Sequence, residues 1–255
     1  MDKSAQDICV TDPPSAQSAV SSMDGWVSKF PESACVTAGD CGLFEDARAV
    51  WAMEKLGGCE GKSILELGPL EGGHSYMLHK AGAGKITAVE ANRSCFLKCL
   101  ITKEIMNLHR AEFHCGNFIP FMRDSESKYD IVWASGVLYH LLDPVELLEL
   151  IAELADKAYI WTHYIPDGEY SGSWPAENLN FMGENIRCYM QNYGAAGNSP
   201  KYCGGVSRAS SWLRRSDILR ILGILGFDKI TIGFEDVNHK NGSCFALAIE
   251  RTCSK

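Results

Sequence analysis

The sequence contains no CxxC pair, no apolar run long enough to cross a bilayer and no excess of basic residues. Each absence removes a class of explanation. A bilayer span needs about 20 consecutive apolar residues, so no membrane role is expected. Lysine and arginine total 24 against 32 aspartates and glutamates, a net charge of −8. A field of that sign draws neither nucleic acid nor anionic membrane surfaces. Eleven cysteines are present, but the number is odd and they are scattered from Cys9 to Cys253. That spacing argues against a disulfide framework, and the polar first residues lack the apolar stretch of a secretory signal. Reduced thiols and a cytoplasmic location are expected. Cys95 and Cys99 lie one helical turn apart with no His or Cys cluster beside them, so no metal site is expected. The dinucleotide fingerprint GxGxxG is missing too.

What is present points to one sizeable domain. The 255 residues are 46% apolar and 22% charged, ample for a single large core. Residues 1–24, with "TDPPSAQSAVSS", are rich in Ser, Pro, Asp and Ala and read as a mobile tail ahead of a domain over 25–255. In "FEDARAVWAMEKLGG", Phe44, Ala47, Val50, Trp51 and Leu56 fall near one helical face, and Gly57–Gly58 ends the helix. Short apolar runs then alternate with helical patterns. Strands are expected at 63–67, 85–91, 111–116, 129–135 and 157–164, with helices at 72–82, at 93–107 and after Asp143–Pro144. Such alternation predicts a parallel sheet covered on both faces.

The pattern breaks over 165–212, a stretch rich in Gly, Asn, Ser and Tyr that carries Tyr170, Trp174, Phe181, Tyr189, Tyr193, Tyr202 and Trp212. A segment of that length inside a domain is expected to be a lid or binding region. The helical "LRRSDILRILGILGF" follows. Two strands come next, "KITIGFED" and "CFALAIER", joined through the hairpin signal Asn241–Gly242. The expected fold is α/β: a doubly wound, Rossmann-like, seven-stranded sheet with an antiparallel C-terminal strand pair and an inserted lid-like segment.

Directly after the first strand comes "LELGPLEGGHSY" (65–76), a flexible loop behind a buried run. In a doubly wound sheet, ligands collect at the carboxyl ends of the strands, near the point where strand order reverses. A glycine turn there lets backbone approach a ligand, and the following helix start offers free N–H groups. Gly68, Gly72 and Gly73 occupy that place, and Glu90 ends the second strand 22 residues after Gly68. A carboxylate at that point accepts from both hydroxyls of a ribose. Loop and acid together predict an adenosine-containing ligand. NAD is disfavoured: Leu70 stands where backbone must approach a pyrophosphate, Pro69 has no N–H, and the loop has no basic residue. Glu66 suits a positively charged ligand, such as a sulfonium or an α-ammonium group.

With these motifs in place, 63–164 and the terminal helix and strand pair resemble the class I S-adenosylmethionine-dependent methyltransferases. The resemblance implies S-adenosyl-L-methionine as cofactor. "LELGPLEGG" stands in the place of the family's ExGxGxG loop, which implies cofactor contacts at Glu66, Gly68, Leu70, Gly72, Gly73 and His74. "AVEAN" stands in the place of the ribose acid, implying Glu90 and Ala91, and "GNF" implies that Asn117 and Phe118 meet the adenine. "ASGVLYHLLDP" (134–144) stands where the family's fourth strand opens onto the methyl group, which adds Ser135. Two residues depart from the family pattern: Leu70 replaces the middle glycine, and Asn117 replaces the common Asp. The "GVLYHLLDP" segment resembles the tRNA wobble-uridine carboxymethyltransferase branch and a related set of short, uncharacterised methyltransferases. "FEDARAVWAMEKLGG", "WTHY" and "HKNG" look closer to the second set.

His140 and His163 end the fourth and fifth strands, which are expected to be neighbours, so both imidazoles are candidates to face the acceptor. A histidine there would take a proton from a hydroxyl as the methyl group moves. The competing readings are structural: His140 bonding loop backbone, His163 supporting the lid, and Asn117 serving only as a helix N-cap. A metal site built on the two histidines with Asp143 or Asp167 lacks tight ligand spacing. Lys201, Arg208, Arg214, Arg215 and Arg220 form the one basic concentration, which reads as a solvated helix face. The expected function is methyl transfer to a small-molecule or sugar acceptor. The alternatives are a tRNA-modifying (carboxy)methyltransferase and a cofactor-binding module without activity. No oligomeric state is specified.

Overall fold

The computed structural model describes residues 9–194 and 205–252. The first eight residues of the expected tail lie outside these, as do Lys201, Tyr202, Cys203 and Cys253. The strands in chain order are β1 (Ser63–Leu67), β2 (Lys85–Glu90), β3 (Ala111–Cys115), β4 (Ile131–Ser135), β5 (Lys157–His163), β6 (Ala176–Phe181), β7 (Glu184–Asn192), β8 (Ala209–Leu213), β9 (Lys229–Asp236) and β10 (Cys244–Glu250). The helices are α1 (Ala16–Ser21), α2 (Ala47–Lys55), α3 (Gly73–Lys80), α4 (Arg93–Ile105), α5 (Phe118–Arg123), α6 (Pro144–Leu154) and α7 (Arg215–Ile224).

Seven strands form one sheet in the order β3-β2-β1-β4-β5-β10-β9. The first five run parallel, and β10 lies antiparallel between β5 and β9. The central strands are buried on both faces, which is why their sequences are continuous apolar runs. Leu65, Val132 and Ile160 face one core with α6 and α7, and Ile64, Trp133 and Tyr159 face another with α2 and α3. Asp46, Asn92 and Asp143 accept backbone N–H bonds at the starts of α2, α4 and α6, where the first amides have no intrahelical partner. No helix among the described residues is long and apolar enough to cross a membrane.

Three expectations need correction. The tail does not extend to Asp24: α1 lies within it, Val20 is buried, and the Trp26 indole donates to the Val20 carbonyl at 2.9 Å. The apolar contacts of Val20, Phe30 and Phe44 supply the burial that the segment's composition hid. The buried face of α2 is carried by Ala49 and Ala52, with Leu56 just beyond, while Val50 is exposed. Small residues there let the helix lie close to the sheet; of the residues expected on this face, Phe44 and Leu56 are buried and Trp51 packs against the core, while Ala47 and Val50 are exposed. Third, the described part of 165–212 is not irregular. β6, β7 and β8 make a second antiparallel sheet, and β6 turns into β7 through Met182 and Gly183, both with positive φ as a two-residue hairpin turn requires. This sheet docks beside the site: the Ser211 amide donates to the Leu141 carbonyl at 2.7 Å, next to the loop after β4.

Candidate active site

The strand order reverses beside β1, between β2 and β4, and a cavity of about 360 Å³ opens at their carboxyl ends. Glu66, Gly68, Leu70, Gly73, His74, Glu90, Ala91, Asn117, Phe118, Ser135 and His140 all line it. Gly72 and His163 do not. Gly72 is the left-handed N-cap of α3, packed near Thr102 and Phe113 outside the cavity. It shapes the turn without forming the wall.

Backbone geometry explains the loop. Gly68 has φ +62°, and a Cβ there would meet Val137 Cγ1 at 2.8 Å, so a glycine lets the loop pass the chain after β4. Leu70 also sits in the left-handed region, at φ 57°. A non-glycine residue there costs about 1–2 kcal/mol. The Leu70 amide is held by Glu90, donating to Oε2 at 3.0 Å, while Glu90 Oε1 accepts from the Asn92 amide at 2.7 Å. Leu70 therefore takes a conformation that favours glycine, and one carboxylate ties the loop to the end of β2. Burial raises the pKa of Glu90, and these amides oppose the rise.

Glu66 is fully enclosed at the base of the cavity. Burial pushes its pKa up to about 7, against the hydrogen bond donated by the Ser75 hydroxyl. A cationic ligand beside Glu66 would favour its charged form.

His74 faces the cavity, but both ring nitrogens are occupied. Nε2 lies 3.0 Å from Asp46 Oδ2, and Nδ1 accepts from the Trp133 indole at 3.1 Å. His74 thus lines the cavity with both ring nitrogens engaged by Asp46 and Trp133. Asp46 also binds Arg48 through two nitrogens, at 3.0 and 2.6 Å. Burial alone would raise the Asp46 pKa, but the hydrogen bonds and charges of His74 and Arg48 overcome it and hold the carboxyl well below its usual range. Arg48 lines the cavity with its guanidinium 4.5 Å from the centre of the Trp161 ring. Sequence reasoning missed Asp46 and Arg48. The one local signal was an Asp placed to cap the helix it opens.

Asn117 lines the cavity, yet its Oδ1 accepts from the Ile119 amide at 3.0 Å and caps α5. Its side-chain oxygen is thus engaged as the helix N-cap, the competing reading, while the residue still borders the cavity. Phe118 and Ser135 lie where expected, on the cavity wall. Cys95 and Gly205 also line it, unforeseen.

The two histidines separate. His140 faces the cavity, and its Nδ1 lies 2.7 Å from the Tyr193 hydroxyl, which donates to Ser210 Oγ at 3.0 Å. Burial, with the nearby His163, pulls the His140 pKa down to about 4, so the ring is neutral near neutral pH. His163 instead gives its Nδ1 proton to the Gly242 carbonyl at 2.8 Å and stacks on Trp212 with rings 8° from parallel. The Tyr139 ring lies between the two histidines, 4.1 Å from His140 and 4.7 Å from His163. Of the two candidate imidazoles, His140, carried by the short helical turn Leu138–His140 after β4, lines the cavity, and His163, the last residue of β5, does not.

Comparison with solved structures places this architecture. The N-terminal domain of EvdMO1, crystallised with S-adenosylhomocysteine and D-fucose, superposes with a TM-score of 0.70 at 22% identity, covering 92% of this chain and 94% of that one. The fold is that of the S-adenosylmethionine-dependent methyltransferases. Magnesium protoporphyrin IX methyltransferase from Synechocystis PCC 6803, with S-adenosylmethionine bound, matches at TM-score 0.53 and 17% identity over 81% of this chain and 77% of its own. The 1,6-didemethyltoxoflavin-N1-methyltransferase of Burkholderia thailandensis matches at 0.54 and 12% identity over 83% and 79%. No family model and no curated protein matches the sequence.

Proposed function

We propose that the protein is an S-adenosylmethionine-dependent methyltransferase whose acceptor is a small hydroxylated molecule, a sugar being the favoured class. The observation that carries this reading is a single cavity joining the glycine loop, Glu66 and Glu90 to His140. The residues fit the cofactor: Gly68 opens the wall, Pro69 removes a phosphate donor, and two buried acids call for positive charge and hydroxyl donors. When bound, S-adenosylmethionine supplies a methyl group on a positively charged sulfur. Glu90 keeps lone pairs for ribose hydroxyls beyond those that accept from backbone amides. Glu66 receives the ammonium end. Tyr139 and Trp161 keep water from the acceptor side. Because the Tyr193 hydroxyl donates to Ser210, its oxygen accepts from His140 Nδ1–H, which leaves the Nε2 lone pair free to take the acceptor's proton. The neighbour crystallised with S-adenosylhomocysteine and D-fucose, alike over nearly its whole length, supports a sugar acceptor. A tRNA acceptor finds no support in the neighbours described or in the acidic charge.

The test is calorimetric titration of wild type and Glu90→Ala with S-adenosylmethionine, S-adenosylhomocysteine and NAD. Binding of the sulfur compounds but not NAD, weakened by the substitution, is the expected result. Methyl transfer to a monosaccharide panel is then followed by mass spectrometry. Failure of the folded protein to bind either sulfur compound would sink the proposal. Binding with no transfer to any acceptor would leave a cofactor-binding module in its place.

A further inference from the structure

A second group of chemically active side chains lies outside this cavity. His163, His239 and Cys244 each offer a ligand atom, and the three atoms lie within 4.8 Å of one another. The strand ladder creates the grouping. Cys244 on β10 is the direct partner of His163 on β5. Opposed residues of an antiparallel pair share a face, with Cβ atoms about 4.5–5.5 Å apart. His239 comes from the loop between β9 and β10, and its ring centre is 5.2 Å from that of His163.

The donors are prepared for a cation. His163 and Cys244 are both buried. A carbonyl can only accept, so the 2.8 Å contact with Gly242 places the His163 proton on Nδ1 and leaves the lone pair on Nε2. Metal-ligating histidines are held in this way, with the second nitrogen fixed by a backbone carbonyl or carboxylate. His239 presents its Nδ1 lone pair to the Asn241 amide at 3.2 Å, the long end of a hydrogen bond, which an ion readily replaces. His239 also borders a second cleft of about 450 Å³. Two imidazoles and one thiolate suit zinc, which takes N and S ligands in tetrahedral sites and has no geometric preference of its own.

We propose that His163, His239 and Cys244 bind a zinc ion that staples the β9–β10 loop to the end of β5. Binding releases the Cys244 thiol proton to solvent and forms the Zn–S bond without any redox change. The staple is independent of the methyl-transfer reading, because none of its ligands lines the cofactor cavity.

The test uses the full chain, freed of metal by a chelator and titrated with Zn²⁺ against a chromophoric competitor, with Co²⁺ as a spectroscopic substitute. A single tight zinc and a thiolate-to-cobalt charge-transfer band are expected. Cys244→Ser should abolish the band, and His239→Ala should weaken zinc binding by more than about ten-fold. Circular dichroism confirms that both variants fold. The other cysteines stay in place in Cys244→Ser, so adventitious thiol binding is measured directly. A band unchanged in that variant, or wild-type zinc affinity no greater than that of His239→Ala, overturns the proposal.

Discussion

Glu71 and Lys98 form an ion pair of 2.9 Å with both side chains almost fully buried. The same carboxylate accepts from the amides of Val27 and Ser28, and Lys98 also donates to the Gly25 carbonyl. Glu71 lies in the glycine loop and Lys98 on α4, so the pair clamps the N-terminal segment against the loop that lines the cavity.

Breaking this pair from one side should be costly. Lys98→Met leaves the Glu71 charge buried with backbone partners alone, and a loss of about 3–5 kcal/mol is expected in urea unfolding. Glu71→Gln combined with Lys98→Met should cost less than the two single losses added together, because neither partner is then left charged. Additive losses would show that the pair is not coupled.

Glu66 makes stability fall with rising pH. Its folded pKa of about 7 lies above the ordinary 4.5, so the folded state holds a proton that the unfolded state releases between those values. The cost grows through that window to roughly 3 kcal/mol on the alkaline side. Glu66→Gln should flatten this slope in denaturation curves taken across the window. A cationic ligand lowers the pKa, so titration with S-adenosylmethionine near pH 7 should release protons, read from the dependence of heat on buffer, and Glu66→Gln should not.

His140 sets the acid limit of the proposed reaction. Only the neutral ring accepts a proton, and its pKa is pulled down to about 4, so kcat/KM should persist well below the ordinary histidine range and fall only near that value. The same depression means that the folded state resists protonation. Stability from His140 is present at neutral pH and is lost as pH falls from about 6.5 toward 4. His140→Ala should lower kcat by about 10²–10⁴, and Tyr193→Phe by about ten-fold, the worth of one hydrogen bond. Unchanged kcat in His140→Ala would remove the base from the mechanism.

Gly68→Ala tests the loop. The substitution forces a methyl group to 2.8 Å from Val137 and strains a backbone at φ +62°. A loss of roughly 1–3 kcal/mol is expected, with weaker S-adenosylhomocysteine binding. Wild-type affinity in this variant would show that the loop has another way past β4.

Where local patterns carry the structure, the chain was readable. The run "SILEL" marks β1 because a strand buried on both faces cannot alternate. Asp143–Pro144 marks the start of α6 because an Asp satisfies free amides and Pro needs none. Asn241–Gly242 announced the β9–β10 hairpin. Less was legible where sequence and burial diverge. β6 has exposed residues along most of its length, so no apolar run betrayed it. Val20 is one buried residue in a polar stretch, and its packing, with the Gln17 amide bonded to the Thr37 backbone, makes α1 part of the fold.

The amino-acid sequence by itself determined the α/β alternation, the glycine turn after β1 and the acid that ends β2, because each depends on neighbours within a few residues. The tertiary structure decided the rest. It sent His140 into the cavity and His163 behind Tyr139, spent both nitrogens of His74 on Asp46 and Trp133, and set Cys244 opposite His163. These outcomes depend on strand register and side-chain direction between segments far apart in the chain, and the spacing of residues along a sequence carries no record of either.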